Sequence, residues 1–385
     1  MTDLATTIRH LDRLVGYPTV SSESNLELIE HVAGLLRDQG ARVEVYRDDS
    51  GAKANLWGTF GPDRDGGIVL SGHTDVVPVE GQDWTTEPFR LTETAEGLTG
   101  RGTCDMKGFI ACCLAMAPRL AEAATERPVH FAFTHDEEVG CLGGQALMEQ
   151  LAEREIRPGL AIIGEPTLMQ VIEGHKGCCE YTTRFHGLAG HGSAPDRGVN
   201  AVAFATRYAG RLLEIAEELR GEAPSDSRFD PPWTTINIGR LAGGFVHNVI
   251  PEEAELDWEM RPVIWSDKDR VKGAINRYAD EVLLPAMQAV HPEAGIRTET
   301  VGEVPGLEPM DDNAARDLVS ELTGANGAET VPFGTEAGLF QALGCSAVVC
   351  GPGSIAQAHK PDEYIAPEQL EACLGFLDRL ADRLG

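Results

Sequence analysis

Five polar segments, each following an apolar run that predicts a β-strand, contain the residues best suited to chemistry. Together they supply two histidines and several carboxylates, a donor set typical of borderline divalent metals such as zinc or cobalt and not of magnesium alone. Loops that leave the strands of one α/β sheet meet at one edge, where ligands bind as a rule. Each segment is a weak signal alone, but their convergence predicts a metal site. The segments are Ser71–Asp75, Gly102–Gly108, His135–Gly140, Ile163–Thr167 and Gly351–Glu363.

The first segment places His73 and Asp75 two positions apart after a strand-like run. In an extended chain such residues point to the same side, so both side chains would face one point. His73 would bind a metal through its imidazole while Asp75 orients the ring. A loop histidine beside a turn aspartate is the structural alternative.

The next two segments also have structural alternatives. Asp105 stands where the N-cap of a predicted helix belongs, and N-capping alone would explain an aspartate there. The acidic run His135–Gly140 is either a solvated turn or a cluster that a cation neutralises, because crowded carboxylates repel one another.

The elements that position these segments alternate between helix and strand through the first third of the chain. This alternation predicts an α/β fold with helices on the faces of a sheet. A buried strand at 346–351 and a helix at 367–384 resume the pattern near the end of the chain. The other predicted helices are 4–14, 25–39, 106–124 and one after Gly144, and the predicted strands are 42–46, 55–59, 67–71, 129–134 and 160–164.

The order of the predicted elements changes in the middle of the chain, where it becomes β-α-β-β-α-β. This order is the ferredoxin-like pattern, which makes a complete two-layer unit. We therefore predict a mixed-sheet α/β catalytic domain built from residues 1–177 and 306–385, interrupted by an inserted ferredoxin-like α+β domain over 178–305. Its predicted strands are 180–185, 234–241, 253–261 and 297–303, and its predicted helices are 200–220 and 267–290.

Composition excludes several classes of partner. The 385 residues include 32 Lys plus Arg against 61 Asp plus Glu, a net charge of −29. Nucleic acids and anionic membrane surfaces require clustered cations, so we expect neither as a partner. The nine cysteines form no C-x-x-C pair, which favours a reducing compartment. The N-terminal segment has no apolar signal core, and no run approaches the roughly 18 apolar residues of a membrane span, so we expect a cytoplasmic protein.

These motifs resemble those of the M20 class of metal-dependent amidohydrolases and exopeptidases. The resemblance covers essentially the whole chain and implies a catalytic domain with two divalent metal ions, zinc or cobalt, interrupted by a lid and dimerisation domain. It implies that Asp105 bridges both metals, that His73 and Glu165 complete one site, and that Glu138 and His359 complete the other. The matching strings are SGHTDVVP, GRGTCDMKG, HDEEVG, GEPT and AHKPDE.

The same resemblance implies a mechanism. Glu137 matches the general base, which takes a proton from a water between the metals and hands it to the leaving amine. Asp75 matches the partner of His73. An amide has a poor leaving group, so proton donation and an oxyanion stabiliser are both needed.

The inserted domain would supply the remaining residues. His191 matches a histidine that reaches the active site of the partner subunit and stabilises the tetrahedral oxyanion, which implies a homodimer. Its surroundings, Gly190-His-Gly-Ser193, depart slightly from the usual A-H-S stretch. Asn248 and Arg261 match positions that hold the substrate's α-carboxylate, a task that suits the two-pronged guanidinium of arginine.

Two local features resemble the acetylornithine deacetylase subfamily. Cys104 precedes Asp105, and Phe333–Ala337 contains T-E-A where the succinyl-diaminopimelate desuccinylases tend to show T-S-D. The resemblance implies hydrolysis of N2-acetyl-L-ornithine to L-ornithine and acetate, in arginine biosynthesis, with Thr335 near the substrate. We hypothesise that Glu336 recognises the side-chain ammonium of ornithine, because a carboxylate is its natural partner.

Other activities remain open at this point. The same chemistry on another acyl group would make a desuccinylase, a general aminoacylase or an M20-type peptidase; a succinyl group would need a basic residue such as Lys176 or Arg240. A non-catalytic protein of the same fold is disfavoured because the five implied ligands and Glu137 are all present. A nucleophilic hydrolase is disfavoured because no G-x-S-x-G elbow occurs.

Overall fold

An eight-stranded mixed sheet organises the first of two structural units in the chain, of which the computed structural model describes residues 4–384. The first unit runs to Gly174 and resumes over Pro309–Val331 and from Thr335 onward. The second unit is His175–Glu308 with the short segment Pro332–Gly334. We predicted an insertion over 178–305.

The strands are β1 (Arg42–Arg47), β2 (Ala54–Phe60), β3 (Ile68–His73), β4 (Thr92–Glu93), β5 (Leu98–Thr99), β6 (Val129–Thr134), β7 (Leu160–Pro166), β8 (Ile172–His175), β9 (Cys178–His186), β10 (Gly190–His191), β11 (Thr235–Gly243), β12 (Val249–Ile250), β13 (Glu253–Arg261), β14 (Gly295–Val304), β15 (Glu329–Val331), β16 (Ser346–Gly351) and β17 (Tyr364–Ile365). The α-helices are α1 (Leu4–Val15), α2 (Leu26–Asp38), α3 (Lys107–Ala123), α4 (Leu142–Glu153), α5 (Ala201–Gly221), α6 (Ser266–Tyr278), α7 (Leu284–Gln288), α8 (Ala314–Thr323), α9 (Ala337–Ala342) and α10 (Pro367–Asp382).

The large sheet has the strand order β1-β2-β6-β3-β7-β16-β8-β15. Its central strands β6, β3, β7 and β16 are mutually parallel, while β1, β2 and β8 pair antiparallel to their neighbours. The carboxyl ends of the four parallel strands therefore lie at one edge. These strands are buried on both faces, which explains why they read as continuous apolar runs in the sequence. The predicted α/β fold class is confirmed.

The core of this unit is built around α3, which packs against α1, α10, β3 and β7. Twelve of its 17 residues are buried, including all but one from Lys107 to Ala117, as expected of a helix that enters a protein interior. Because α3 begins at Lys107, two residues after Asp105, burial of the helix restricts the backbone of one candidate metal ligand.

The second unit contains a four-stranded antiparallel sheet in the order β11-β13-β9-β14. Helices α5 and α6 pack against each other, and α5 packs on the sheet. Along the chain the order is β9-α5-β11-β13-α6-β14, so the observed sheet has the ferredoxin-like arrangement with the first and third strands in the middle.

The structure differs from the predicted elements in a few places. The helix predicted over 267–290 is interrupted, because a π-helical turn at Ala279–Leu283 separates α6 from α7. Pro285 lies in the first turn of α7, where its missing N–H needs no partner. Strands β8 and β15 and helices α8 and α9 were not predicted. Three of them are six residues or shorter, whereas α8 has ten residues and buries Ala315, Val319 and Leu322 at helical spacing.

Two further features bear on the sequence-based expectations. All nine cysteines are free thiols. Among residues 4–384, no helix combines the length and apolar character that a membrane span needs.

Candidate metal centre and active site

The five predicted metal ligands come from loops and strand ends at one edge of the large sheet. His73 is the last residue of β3, and Glu165 lies near the end of β7. Glu138 follows β6, Asp105 precedes α3, and His359 lies in the turn after β16. The topology therefore brings the five predicted metal-binding segments to the carboxyl ends of parallel strands.

His73 is buried among carboxylates. Its Nε2 atom lies 3.1 Å from Asp105 Oδ1 and 3.8 Å from Glu165 Oε1. Its Nδ1 atom lies 3.0 Å from the Asp75 carbonyl oxygen, which can only accept a hydrogen bond. Nδ1 therefore carries the proton in the neutral ring, and the Nε2 lone pair faces Asp105 and Glu165.

Asp105 lies between the two histidines. Its Oδ1 atom faces His73, while Oδ2 lies 3.4 Å from His359 Nε2. His359 Nε2 is also 3.0 Å from Glu138 Oε2. The residue at the N-cap position of α3 is Met106, without a side-chain capping bond, so the Asp105 carboxylate is not used as a cap. This arrangement suits a carboxylate that serves two sites, one on each oxygen.

The adjacent residues Glu137 and Glu138 have different neighbours. Glu138 groups with His73 and Asp105, with donor atoms within 4.8 Å of one another, whereas Glu137 groups with His73 and Glu165 under the same limit. Glu137 Oε1 also accepts a hydrogen bond from the Cys141 thiol at 3.4 Å. The two side chains therefore separate, and each can take a different task.

Asp75 holds this loop in place. Its carboxylate accepts hydrogen bonds from the backbone N–H groups of Glu137 at 3.1 Å and Glu138 at 3.3 Å, and from Ser21 Oγ at 2.7 Å. Burial alone would raise the pKa of Asp75, but the His73 ring and the hydrogen bonds from Ser21 and the Glu137 N–H lower it. Asp75 stays ionised and fixes the backbone on which both glutamates stand.

The pKa shifts of the clustered side chains indicate whether the cluster can hold metal ions. Burial raises the pKa of Glu137 and Glu165 well above the usual range and raises that of Glu138, and the carboxylates raise one another's further. Hydrogen bonds to Asp105 and Glu138 raise the pKa of His359 to about 10. A buried group of carboxylates that disfavour one another's charge is relieved by cations. The donor set, two imidazoles and several carboxylates, fits a pair of divalent metals.

Thr335 and Glu336, the residues predicted to lie near the substrate side chain, directly precede helix α9. Thr335 is fully buried, and its Oγ1 accepts from the Ala337 N–H at the start of α9. Glu336 is 1% exposed, and its carboxylate accepts from Ser71 Oγ at 3.3 Å. Both side chains are buried, and the charge of Glu336 acts on that of Glu137. The contacts of Thr335 and Glu336 with substrate stay predictions.

The second unit holds the other predicted residues. His191 is exposed at the end of β10, which pairs with β12, and the Gly192 N–H donates to the Asn248 carbonyl at 2.8 Å. A Cβ at residue 192 would lie 3.0 Å from the Asn248 backbone, so glycine permits this close approach. The Ser193 N–H donates to His191 Nδ1 at 3.2 Å. The neutral ring therefore keeps its proton on Nε2, which is free to donate.

Arg261 ends strand β13 and is partly buried. Its Nη2 atom lies 2.7 Å from Glu259 Oε2, so the guanidinium is held by a carboxylate on the same strand. Arg261 therefore has the chemistry to hold a carboxylate and already holds one.

Two residues that shape the site were not predicted from the sequence. Ser21, which donates to Asp75, lies in a segment with no chemical signal of its own. Lys107 follows Asp105 closely, and its buried ammonium donates to the carbonyls of Leu14 at 3.1 Å and Tyr17 at 2.8 Å. Its place within GRGTCDMKG was visible in the sequence, but only the fold shows that it ties α3 to the end of α1.

Comparison with known proteins gives a consistent result. Residues 69–383 match the family model described as peptidase family M20/M25/M40. A Klebsiella pneumoniae protein named acetylornithine deacetylase is 36% identical over 359 residues, covering 91% of each chain. A Pasteurella multocida protein of the same name is 34% identical over 383 residues, covering 95% of each.

Solved structures with the same fold include an M20 family metallo-carboxypeptidase from Sulfolobus solfataricus, with a TM-score of 0.75 at 15% identity, covering 98% of this chain and 99% of that one. The Bacillus subtilis YxeP protein, described as a dinuclear metal binding peptidase from the M20 family, has a TM-score of 0.64 at 16% identity, covering 98% of this chain and 97% of that one. At such identities the likeness shows the fold alone.

Proposed function

The chain belongs to peptidase family M20/M25/M40 and is a hydrolase that acts on amides, and from this premise we propose that it hydrolyses N2-acetyl-L-ornithine to L-ornithine and acetate, a step of arginine biosynthesis in the cytoplasm. The observation that carries the proposal is the match, at 34–36% identity over at least 91% of the chain, to proteins named acetylornithine deacetylase. The buried donor cluster supports the metal-dependent chemistry that such a reaction needs.

Two divalent metal ions, zinc or cobalt, would be held by five side chains. Asp105 would serve both ions, because its two carboxylate oxygens face different histidines. When bound, such a pair of cations lowers the pKa of a water and polarises the amide carbonyl. The residues in the proposed sites are His73, Asp105 and Glu165 for one ion and Asp105, Glu138 and His359 for the other.

Glu137 is the proposed general base. Burial raises its pKa well above the usual range, and a carboxylate with a raised pKa is a stronger base that can take a proton and give it up again. We assign it the proton of the attacking water, which it returns to the leaving amine. Asp75 would keep Glu137 in place through the backbone bond between them.

Residues of the second unit are proposed to bind the substrate and to stabilise the oxyanion. The Nε2–H of His191 is proposed to donate to the oxyanion in the active site of a partner subunit, and a donor aimed at developing charge is worth about 10²–10³-fold in rate. Arg261 and Asn248 are proposed to hold the substrate's α-carboxylate. Before substrate binds, Glu259 keeps the Arg261 guanidinium oriented. The substrate's carboxylate would then compete with Glu259 for this guanidinium.

We further propose that the protein is a homodimer formed through the second unit. Strand β11 is at an edge of its sheet, and unpaired strand edges are templates for pairing with another chain. Phe245, just beyond this strand, is 89% exposed, and Leu241 within it is 42% exposed. Apolar side chains beside an open edge favour a protein partner.

Contacts of the candidate basic residues weaken the desuccinylase alternative. Arg240 is paired with Glu255 at 2.5 Å and with Asp257 at 3.2 Å. Lys176 donates to the Trp233 carbonyl at 2.9 Å, and burial lowers its pKa to about 8. Both cations are engaged within the second unit, so each would have to leave a partner to meet a succinyl carboxylate.

The test is a set of initial rates with protein reconstituted in zinc or cobalt. The substrates are N-acetylornithine, N-acetylmethionine, N-succinyl-diaminopimelate and a dipeptide, each with a chelator control. We expect chelator-sensitive turnover with the largest kcat/KM on N-acetylornithine. A preference for another member would refute the substrate and keep the chemistry, whereas no turnover with metal bound would refute the enzyme.

A further inference from the structure

A buried ion pair between Arg101 and Glu363 lies beside the proposed metal ligands and has no role in the mechanism above. Arg101 Nη1 lies 2.8 Å from Glu363 Oε2, and both side chains are 1% exposed. Burying two charges costs desolvation free energy that pairing need not return, so stability alone does not account for the pair. Arg101 belongs to the GRGTCDMKG motif and Glu363 to the AHKPDE motif.

Glu363 holds the backbone that carries Asp105. Its Oε1 atom accepts hydrogen bonds from the N–H groups of Cys104 at 2.8 Å and Asp105 at 3.0 Å, and Oε2 accepts from the Gly102 N–H at 3.0 Å. Backbone amides aimed at one carboxylate form an anion cradle with strong, charge-assisted bonds. With Arg101 as the fourth donor, both oxygens are occupied, so Glu363 is not itself placed to bind a metal.

Arg101 holds the turn that carries His359. Its Nη1 atom donates to the Lys360 carbonyl at 3.2 Å, and its Nη2 donates to Gln82 Oε1 at 2.6 Å. Gln82 Nε2 in turn donates to the His359 carbonyl at 3.1 Å. His359 has a φ of 63°, a left-handed conformation that a residue with a side chain keeps only when its surroundings impose it.

One connected set of bonds therefore reaches two ligands from distant parts of the chain. Glu363 fixes the backbone at Asp105, and Arg101 with Gln82 fixes the backbone at His359. Neither ligand's own segment could set the distance between them, because the Asp105 loop precedes α3 and the His359 turn follows β16.

We propose that Glu363 is a positioning residue that, through Arg101 and Gln82, sets the separation of Asp105 and His359 and thereby builds the second metal site. The proposal rests on the proposed function for the ligand roles of Asp105, Glu138 and His359. It assigns a task to the last residue of AHKPDE: Glu363 organises the donors of one ion without touching it. Residues that orient metal ligands typically change metal affinity by about 10–100-fold when they are substituted.

The test titrates chelator-treated protein with Co²⁺ and follows both the visible absorption of the bound ion and the heat of binding. We expect wild-type protein to bind two equivalents. In Glu363→Gln, which removes the anion and one acceptor, the second equivalent should bind about 10–100-fold more weakly, with an altered spectrum. The first equivalent, which Asp105 also serves but His359 does not, should weaken less. With saturating metal, kcat should fall while KM changes by no more than about twofold, because the substrate contacts are untouched.

Two further variants separate positioning from simple destabilisation. Glu173→Gln is the matched control: Glu173 has a 3% exposed side chain and pairs with Arg316 at 3.0 Å in the same unit. It should bind both equivalents as wild type does. Gln82→Met severs the link between Arg101 and His359 without removing a buried charge, and it should weaken the second equivalent less than Glu363→Gln does.

Each outcome decides the question. The proposal is overturned if Glu363→Gln binds both equivalents like wild type, or if Glu173→Gln weakens the second equivalent equally. If Glu363→Gln does not fold, Gln82→Met decides, and an unchanged second equivalent overturns the proposal. Wild-type protein that binds fewer than two equivalents refutes the two-metal centre of the proposed function as well, whereas a different preferred substrate leaves this titration unaffected.

Discussion

Hydrogen bonds to the backbone decide which of two neighbouring glutamates can move a proton. Asp75 accepts from the N–H groups of both Glu137 and Glu138, so the backbone is fixed and the side chains diverge. Glu138 reaches His359, whereas Glu137 is near His73 and Glu165. The division of labour proposed for the pair is therefore a property of one anchored turn.

Glu137→Gln tests this division. We expect kcat to fall by about 10³-fold, within the usual range for a general acid–base group, because the amide cannot accept the proton of water. Both metal equivalents should remain bound. The matched variant Glu138→Gln should instead lose affinity for one equivalent. Loss of metal in Glu137→Gln would mean that Glu137 is a ligand.

His191→Ala tests the proposed oxyanion donor. The exposed ring makes few contacts within the second unit, so the variant should fold and keep its metals. We expect kcat to fall by about 10²–10³-fold, the usual cost of removing such a donor. The control His186→Gln changes another exposed histidine of the same unit and should leave kcat unchanged. Sedimentation should show wild-type and variant proteins as dimers; a normal kcat in His191→Ala would refute the role.

At the scale of elements, helix ends join the central strands to the residues around them. Asn313 is 1% exposed at the N-cap of α8, where its Oδ1 atom accepts from the Arg316 N–H at 3.0 Å. Its Nδ2 atom donates to the Ala347 carbonyl at 2.9 Å, so the same side chain also ties the helix to β16. Strand β16 leads into the His359 turn, and α8 is thereby part of the support for the site.

Asn313→Ala should lower the free energy of unfolding by about 2–3 kcal/mol, because it removes a cap and leaves a buried carbonyl without its donor. Asn313→Ser keeps an oxygen for the cap and loses the bond to Ala347, so its effect should be about half as large. Thermal denaturation with metal bound would measure both. Equal losses in the two variants would show that capping contributes little here.

At the scale of the whole molecule, burial of neutral histidines makes stability depend on pH. Burial lowers the pKa of His130 to about 4, and its ring stacks on Trp57 with 4.7 Å between ring centroids. Since the folded-state pKa lies below the value near 6.5 of an unfolded chain, the unfolded state binds more protons between these values. The contribution of neutral His130 to the free energy of unfolding is therefore fully present above about pH 6.5 and is lost as the pH falls toward 4.

Between pH 6.5 and pH 5, we expect protonation linked to His130 to lower the free energy of unfolding of the wild-type protein by on the order of 2 kcal/mol. This follows from 1.36 kcal/mol per pKa unit. His130→Gln should remove that part of the pH dependence, measured as Tm at several pH values. His186→Gln serves as the control, because the hydrogen bond to Glu253 raises the pKa of His186 and gives the opposite sign. An unchanged pH profile in His130→Gln would contradict the assignment.

The sequence by itself determined the family, which is confirmed. It also determined which side-chain chemistries, imidazole and carboxylate, are available for the candidate site. It also predicted most strands, because buried strands such as β3 and β6 are continuous apolar runs whose neighbours in the chain are enough to define them. Polar residues directly after such strands stand out by contrast. The order β-α-β-β-α-β in the middle of the chain is likewise a local pattern, and it matches the observed sheet of the second unit.

Only the tertiary structure decided which of those residues meet and which are exposed. Asp105 lies between His73 and His359 because three distant segments reach one sheet edge. Glu336 is only 1% exposed and accepts a hydrogen bond from Ser71 of β3, a contact between residues far apart in the chain. The physical reason is that local propensity and alternation depend on near neighbours, whereas burial and side-chain contact depend on residues far away in the chain, and a single sequence does not state those distances.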